Sequence, residues 1–241
     1  MKFIKGNIKS SNFVSTLLQD FYMKNIEQFY HPDIIKYAEE HTSEENDVLK
    51  KINRNTHLKM LRPRMLSGTF QGKLLEFLSV FIKPEAVLEI GSYVGYSAIC
   101  FAKGLQENGI IDTIEVDEEL EDTIKENIRL AKMEDKICVH IGDAMQIIPT
   151  LKKQYDLIFL DADKRNYVSY YHSIFPLLKK GGYILADNVL WSGKVCYEQP
   201  SGDKESKEIK EFNDLIQKDE RVENILLPIR DGLMLIRKID E

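Results

Sequence analysis

From residue 86 onward, short apolar runs alternate with longer stretches whose apolar positions recur every three or four residues. The runs fall at 87–90, 113–116, 137–141, 157–160 and 183–186, with helical periodicity at 96–105, 118–131, 145–151 and 167–178. Near-continuous apolar runs separated by helices predict parallel strands buried on both faces. A helix over 206–219 follows, then two further runs, 222–227 and 234–238, joined by Pro228-Ile-Arg-Asp-Gly232. That spacing predicts a closing hairpin, so the expected architecture is a doubly wound, mostly parallel seven-stranded α/β sheet with an antiparallel C-terminal hairpin strand.

Before residue 83 only helical spacing is found. Phe13, Leu17 and Phe21 mark a helix over 12–27, and Thr42-Ser43-Glu44-Glu45 has the form of a capping box opening a helix towards Met60. Arg62-Pro63-Arg64 breaks it, and a further helix carries Phe70, Leu74, Phe77, Leu78 and Phe81 on one face. The expected organisation is a single domain, with residues 1–82 as a helical cap and 83–241 as the core. Residues 192–207, rich in Gly, Ser, Pro and charge, read as a flexible loop.

Composition narrows the class. Hydrophobic residues make up 43% and charged residues 30% of 241 residues, which fits a globular domain. A net charge of −6 argues against a whole-surface nucleic-acid binder. No stretch approaches the roughly 20 apolar residues of a membrane span, so no membrane partner is expected. Cys100, Cys138 and Cys196 are far apart, which points to a reducing, cytoplasmic setting. The histidines lack the paired spacing of a zinc site.

Acidic residues punctuate the strand ends. The first strand ends Leu88-Glu89-Ile90-Gly91, with Gly95 four residues later. Glu115 lies 26 residues after Glu89, at the end of the second strand. Glycine at a strand's carboxyl end lets backbone approach a ligand, and an acid on the next strand commonly holds ribose hydroxyls. A nicotinamide site would share that acid, but its Gly-x-Gly-x-x-Gly fingerprint is absent. Glu89 suits a cationic ligand group such as the ammonium of S-adenosylmethionine. The fourth and fifth strands end in Asp161 and in Asp187-Asn188. Three hard oxygen donors with no imidazole or thiolate favour Mg²⁺, Ca²⁺ or Mn²⁺. Such a cation retains positions for the adjacent hydroxyls of a catechol, and Lys164 is at hand to take a proton.

These residues resemble the metal-dependent O-methyltransferases, the family of caffeoyl-CoA and catechol O-methyltransferases and their bacterial relatives. The resemblance spans roughly residues 60–239. It is carried by Glu89-Ile-Gly-Ser-Tyr-Val-Gly-Tyr-Ser97, Leu160-Asp-Ala-Asp-Lys-Arg-Asn-Tyr167, Ala186-Asp-Asn-Val-Leu-Trp-Ser-Gly193 and Pro228-Ile-Arg-Asp-Gly232. It implies that Glu89, Gly91, Tyr93 and Ser97, with Met65 and Ser67, surround the methionine part of S-adenosylmethionine. Glu115 would hold the ribose, Asp143 and Ala144 would border the adenine, and Asp163 would make a further cofactor contact. It matches Asp161, Asp187 and Asn188 to metal ligands, Lys164 to the base and Trp191 to a wall of the substrate pocket. It also implies a homodimer formed through the N-terminal helices. Where vertebrate catechol enzymes carry glutamate after Asp-Gly-Leu, Met234 stands here, and 192–207 holds one aromatic residue, Tyr197.

Two substrate classes follow. The first is a small hydroxylated aromatic molecule. The second is a tRNA wobble hydroxyuridine, for which the basic cluster Lys50, Lys51, Arg54, His57, Lys59, Arg62 and Arg64 would meet phosphates. The same cluster also reads as a solvated helix face balanced by Glu44, Glu45 and Asp47.

Overall fold

The computed structural model describes residues 32–197 and 202–240. The helix expected over 12–27 lies outside them. The chain forms two compact units, 1–43 and 44–241. In the first, helix α1 (Pro32–Glu40) ends in a turn where Thr42 Oγ1 donates to the Ala38 carbonyl at 2.7 Å.

The second unit opens with α2 (Asp47–Lys59) and α3 (Gly68–Ile82). The capping box is not the start of α2. Asn46 caps it instead, its side chain accepting from the Leu49 N–H at 2.9 Å. Glu45, which would have closed the box, accepts from the Tyr96 hydroxyl and from Asn53. A tertiary partner for the carboxylate wins over a local backbone bond.

Seven strands follow: β1 (Ala86–Ile90), β2 (Ile110–Glu115), β3 (Ile137–Ile141), β4 (Tyr155–Leu160), β5 (Leu178–Asp187), β6 (Val222–Leu227) and β7 (Leu233–Lys238). They form one sheet in the order β3-β2-β1-β4-β5-β7-β6. The first five pair in parallel, and β7 runs antiparallel to both β5 and β6. Helices α4 (Tyr96–Ala102), α5 (Glu121–Leu130), α6 (Ala144–Ile147), α7 (Tyr167–Ile174) and α8 (Lys204–Lys218) complete the unit.

Alternation along the strands feeds two cores. Leu88, Ile90, Ile158 and Leu160 join Tyr167, Tyr171, Ile174 and Phe212 of α7 and α8 on one face. Val87, Leu157 and Phe159 join Leu49, Ile52, Leu75, Phe101 and Ile124 of α2 to α5 on the other. Both faces are covered, which is why these strands read as unbroken apolar runs.

The face of helix α3 that carries the apolar residues is divided: Leu74 and Leu78 pack against the core, whereas Phe77 is 52% and Phe81 73% exposed, and Gln71, Glu76 and Ser79 are buried. Each buried polar group is satisfied. Gln71 bonds Asp187, Glu76 meets Lys73 and Lys103, and Ser79 Oγ donates to the Phe101 carbonyl at 2.6 Å.

Candidate active site

Strand order reverses between β1 and β4, the position at which open α/β sheets bind ligands beyond their carboxyl ends. Glu89, Glu115, Asp161 and Asp187 gather at that edge. Ile90 is in register with Ile114 on one side and Leu160 on the other, and Leu160 with Ala186. The residues that follow, Gly91, Asp161 and Asp187, therefore sit about one strand spacing apart, ~4.8 Å.

Gly91 makes this closeness possible. A Cβ there would stand 2.0 Å from the Asp161 carbonyl oxygen, and its φ is +98°. The Gly91 N–H continues the ladder to Ile114, and the Asp161 N–H bonds Ile90 at 2.9 Å.

Glu89 is fully buried on β1. Burial drives its carboxyl up to about 8, Ser97 and Thr113 pull it down, and Asp161 and Glu115 repel its charge. Thr113 Oγ1 donates to its Oε2 at 2.5 Å, and its Oε1 has no hydrogen-bond partner among the described residues. A buried carboxylate oxygen without a donor is costly unless a ligand supplies one. Ser92 Oγ, three residues on, is likewise buried and without a partner among the described residues. An orphaned acidic oxygen fits a bound cationic group.

Glu115 accepts from the Tyr93 N–H at 2.7 Å and the Asp117 N–H at 3.0 Å, which sets its carboxylate at the mouth of β2. Tyr93 takes φ +51°, and its hydroxyl donates to the Arg62 carbonyl at 3.1 Å. Asp143 is exposed and caps α6 through the Met145 N–H at 2.9 Å, with Ala144 buried behind it. Met65 is exposed in the turn before α3, and Ser67 is buried. Asp163 caps the turn over Lys164–Asn166 and is gripped by Arg165, which holds its carboxyl below the usual range.

Asp161, Asp187 and Asn188 form an all-oxygen set of hard donors at the ends of β4 and β5. Asp187 is buried, and its carboxyl is raised by burial and by Asp161. Its Oδ2 accepts from Gln71 Nε2 at 2.7 Å and its Oδ1 from the Asn188 N–H at 2.9 Å. Lys164 is buried, with Nζ 2.8 Å from Asp161 Oδ1 and 2.6 Å from the Tyr167 hydroxyl. Tyr167 in turn donates to the carbonyl of Asp187 at 2.8 Å or of Leu160 at 3.1 Å. The half-buried Trp191 packs against the core in a segment pinned to the hairpin turn. The Leu190 N–H bonds the Asp231 carbonyl at 2.9 Å, and the Ser192 N–H bonds Asp231 Oδ1 at 2.5 Å. Asn188, Trp191, Ser192, Arg230 and Tyr93 all have positive φ, which places backbone strain at this edge.

Sequence reasoning assigned no role to Gln71, Tyr167 or Arg230. For Gln71 the available signal was an amide in the first turn of the helix, beside small Gly72. Asp112, Cys138 and His140 also bring metal-capable atoms within 4.8 Å of one another on β2 and β3. Asp112 there already holds a cation: Lys153 Nζ lies at 2.6 Å, with His140 at 2.9 Å and the Tyr155 hydroxyl at 3.0 Å. Burial raises the Asp112 carboxyl, but these three donors outweigh it and leave it lowered.

The sequence profile of a family described as O-methyltransferase matches residues 39–239. The chain is 32% identical to a caffeoyl-CoA O-methyltransferase of Stellaria longipes over 76% of this chain and 83% of that one. Its fold is similar to an O-methyltransferase from Bacillus cereus in complex with SAH, at 29% identity and TM-score 0.78, covering 84% of this chain and 96% of the other. A SAH-bound methyltransferase of Podospora anserina, 25% identical, aligns over 100% of both chains with TM-score 0.78.

Proposed function

The chain belongs to the O-methyltransferase family, whose reaction it performs with S-adenosylmethionine, and from that premise we propose that its acceptor is a hydroxyl of a catechol-like small molecule held by a divalent cation. The observation that carries the proposal is the oxygen trio of Asp161, Asp187 and Asn188 beside buried Lys164, at the ends of β4 and β5 next to the strand that carries Glu89. S-adenosylmethionine would supply an activated methyl group and leave as S-adenosylhomocysteine; Glu89 and Ser97 would face its methionine part, Glu115 its ribose, and Asp143 and Ala144 its adenine. Asp161, Asp187 and Asn188 would hold a divalent cation, Mg²⁺ by their oxygen donors, whose charge would make an acceptor hydroxyl easier to deprotonate. Lys164 holds the departing proton at Nζ, steadied by Asp161 and Tyr167. Trp191 walls the acceptor, and alignment of the two reactants is worth on the order of 7–11 kcal/mol.

The test is methyl transfer from labelled S-adenosylmethionine to caffeic acid, with Mg²⁺ and with chelator. Metal-dependent labelling is expected, and labelling undiminished by chelator would sink the cation's role. A parallel arm offers tRNA lacking its wobble modification. The basic cluster that would meet it lies on exposed positions of α2 and the following turn, where Lys50 pairs with Glu44. No RNA labelling is expected.

Cofactor binding should release a proton. With its carboxyl at about 8, Glu89 is mostly neutral at pH 7 in the free chain, and an ammonium beside Oε1 favours the charged form. S-adenosylhomocysteine binding at pH 7 is expected to release close to one proton. Its affinity therefore climbs as pH rises towards about 8, beyond which the ligand's own ammonium begins to lose its proton. Calorimetry in buffers of different ionisation enthalpy reads this directly. Proton release that persists in Glu89→Gln would assign it elsewhere.

The outward stripe of α3 supports a homodimer. Phe77 and Phe81 meet edge-on with centroids 6.0 Å apart, and Val80 beside them is also exposed. Phe81→Glu should shift the mass in light scattering from dimer to monomer. A wild-type monomer at tens of micromolar would contradict this.

A further inference from the structure

We infer that Gln71 and Arg230 are positioning residues that hold Asp187 in the orientation a cation requires, and so set the metal affinity of the site without contacting the metal. The inference rests on the cation reading proposed above.

Gln71 reaches Asp187 across 116 residues of sequence, donating from Nε2 to Oδ2 at 2.7 Å. Its other end, Oε1, accepts from Arg230 Nη1 at 2.7 Å. An amide has one donor end and one acceptor end, whereas a guanidinium only donates and a carboxylate only accepts. The three groups therefore fit in one order. A reversed amide would set oxygen against carboxylate and NH₂ against guanidinium, so Arg230 decides which way Gln71 points.

Asp187 is clamped on both oxygens. Gln71 holds Oδ2, and the Asn188 N–H holds Oδ1 at 2.9 Å. Each oxygen keeps a further lone pair for a cation, but the carboxylate cannot turn without breaking a buried bond. Gln71 is 3% and Asp187 4% exposed, so water offers little replacement.

Arg230 is anchored in its turn. It donates to the carbonyl of Ser67, and to that of Leu66 at 3.4 Å, from a residue with φ +51° in the hairpin between β6 and β7. One bonded series thus joins the start of α3, the β6–β7 turn and the end of β5. Removing an outer partner of a ligating carboxylate typically weakens metal binding tenfold to a hundredfold.

The experiment measures Mn²⁺ affinity of the full chain from the electron paramagnetic signal of free Mn²⁺. It is paired with S-adenosylhomocysteine affinity in the absence of metal. Gln71→Met keeps length and loses both bonds. It is expected to weaken Mn²⁺ binding by about tenfold or more while S-adenosylhomocysteine binds as in wild type. Should Gln71→Met fail to fold, Arg230→Met carries the same expectation for Mn²⁺. The double variant should bind Mn²⁺ no worse than the weaker single one, because the two act in series. Unchanged Mn²⁺ affinity in the single variants overturns the inference. So does a parallel loss of S-adenosylhomocysteine affinity in Gln71→Met, which would make the amide general packing. Absence of saturable Mn²⁺ binding in wild type instead overturns the cation reading, and this inference with it.

Discussion

Asp161→Ala is expected to lower methyl transfer by about a thousandfold while S-adenosylhomocysteine still binds. Withdrawing a cation's charge stabilisation costs several kcal/mol of barrier, and about 4 kcal/mol is a factor of a thousand. The strand should survive, because Asp161 joins the sheet through its backbone N–H to Ile90, which alanine retains. One effect opposes the loss. Asp161 repels charge on Asp187, so its removal eases ionisation of that ligand. That gain is small above pH 7, where a carboxyl raised to about 6 is already mostly ionised. Losing a donor outright wins. Wild-type turnover by the variant in chelator would end the metal mechanism.

Lys164→Met should cut kcat by on the order of 10²–10⁴, the usual range for a lost general base, with little change in the acceptor KM. The methyl-bearing thioether fills the same buried space. Tyr167 keeps its place, since its hydroxyl also donates to a carbonyl, that of Asp187 or Leu160. A fall of less than tenfold would mean that Lys164 only neutralises Asp161, to which it is bonded at 2.8 Å, and that solvent takes the proton.

The parts of the site that end strands were legible in the sequence. The later part of each strand, Leu157–Leu160 in β4 and Tyr183–Ala186 in β5, is an unbroken apolar run, so the acid that follows it, Asp161 or Asp187, marks the sheet edge. Local pattern is enough there because the environment changes abruptly from core to site. It fails where burial is decided by a distant partner. The sequence of α3 shows one apolar face and gives no sign that the helix buries Gln71, Glu76 and Ser79, whose partners are Asp187, Lys103 and Phe101. Periodicity sees only hydrophobicity and cannot register a polar side chain satisfied from the far side of the fold. Helix ends were overrun for a local reason. The turns containing Pro149 and Pro176 are 3₁₀, with the proline ring fixing the backbone where an α-helix would continue. The loop expected over 192–207 is in part structured, with Lys194 bonded to Asp203 at 2.9 Å and α8 beginning at Lys204.

The contact between Gly91 and the Asp161 carbonyl divides the molecule into a part that can diversify and a part that cannot. With no room for even one methyl group between β1 and β4, the gap between the two ligand-bearing strand ends is set by the backbone itself. New acceptor preferences must then arise at the rim, in the turn before α3, where Arg64 and Met65 are exposed, and in the segment after Trp191, where Ser192, Lys194 and Tyr197 are exposed. The spacing of the reactants is thus a property of the main chain, while the choice of acceptor is left to side chains at the rim.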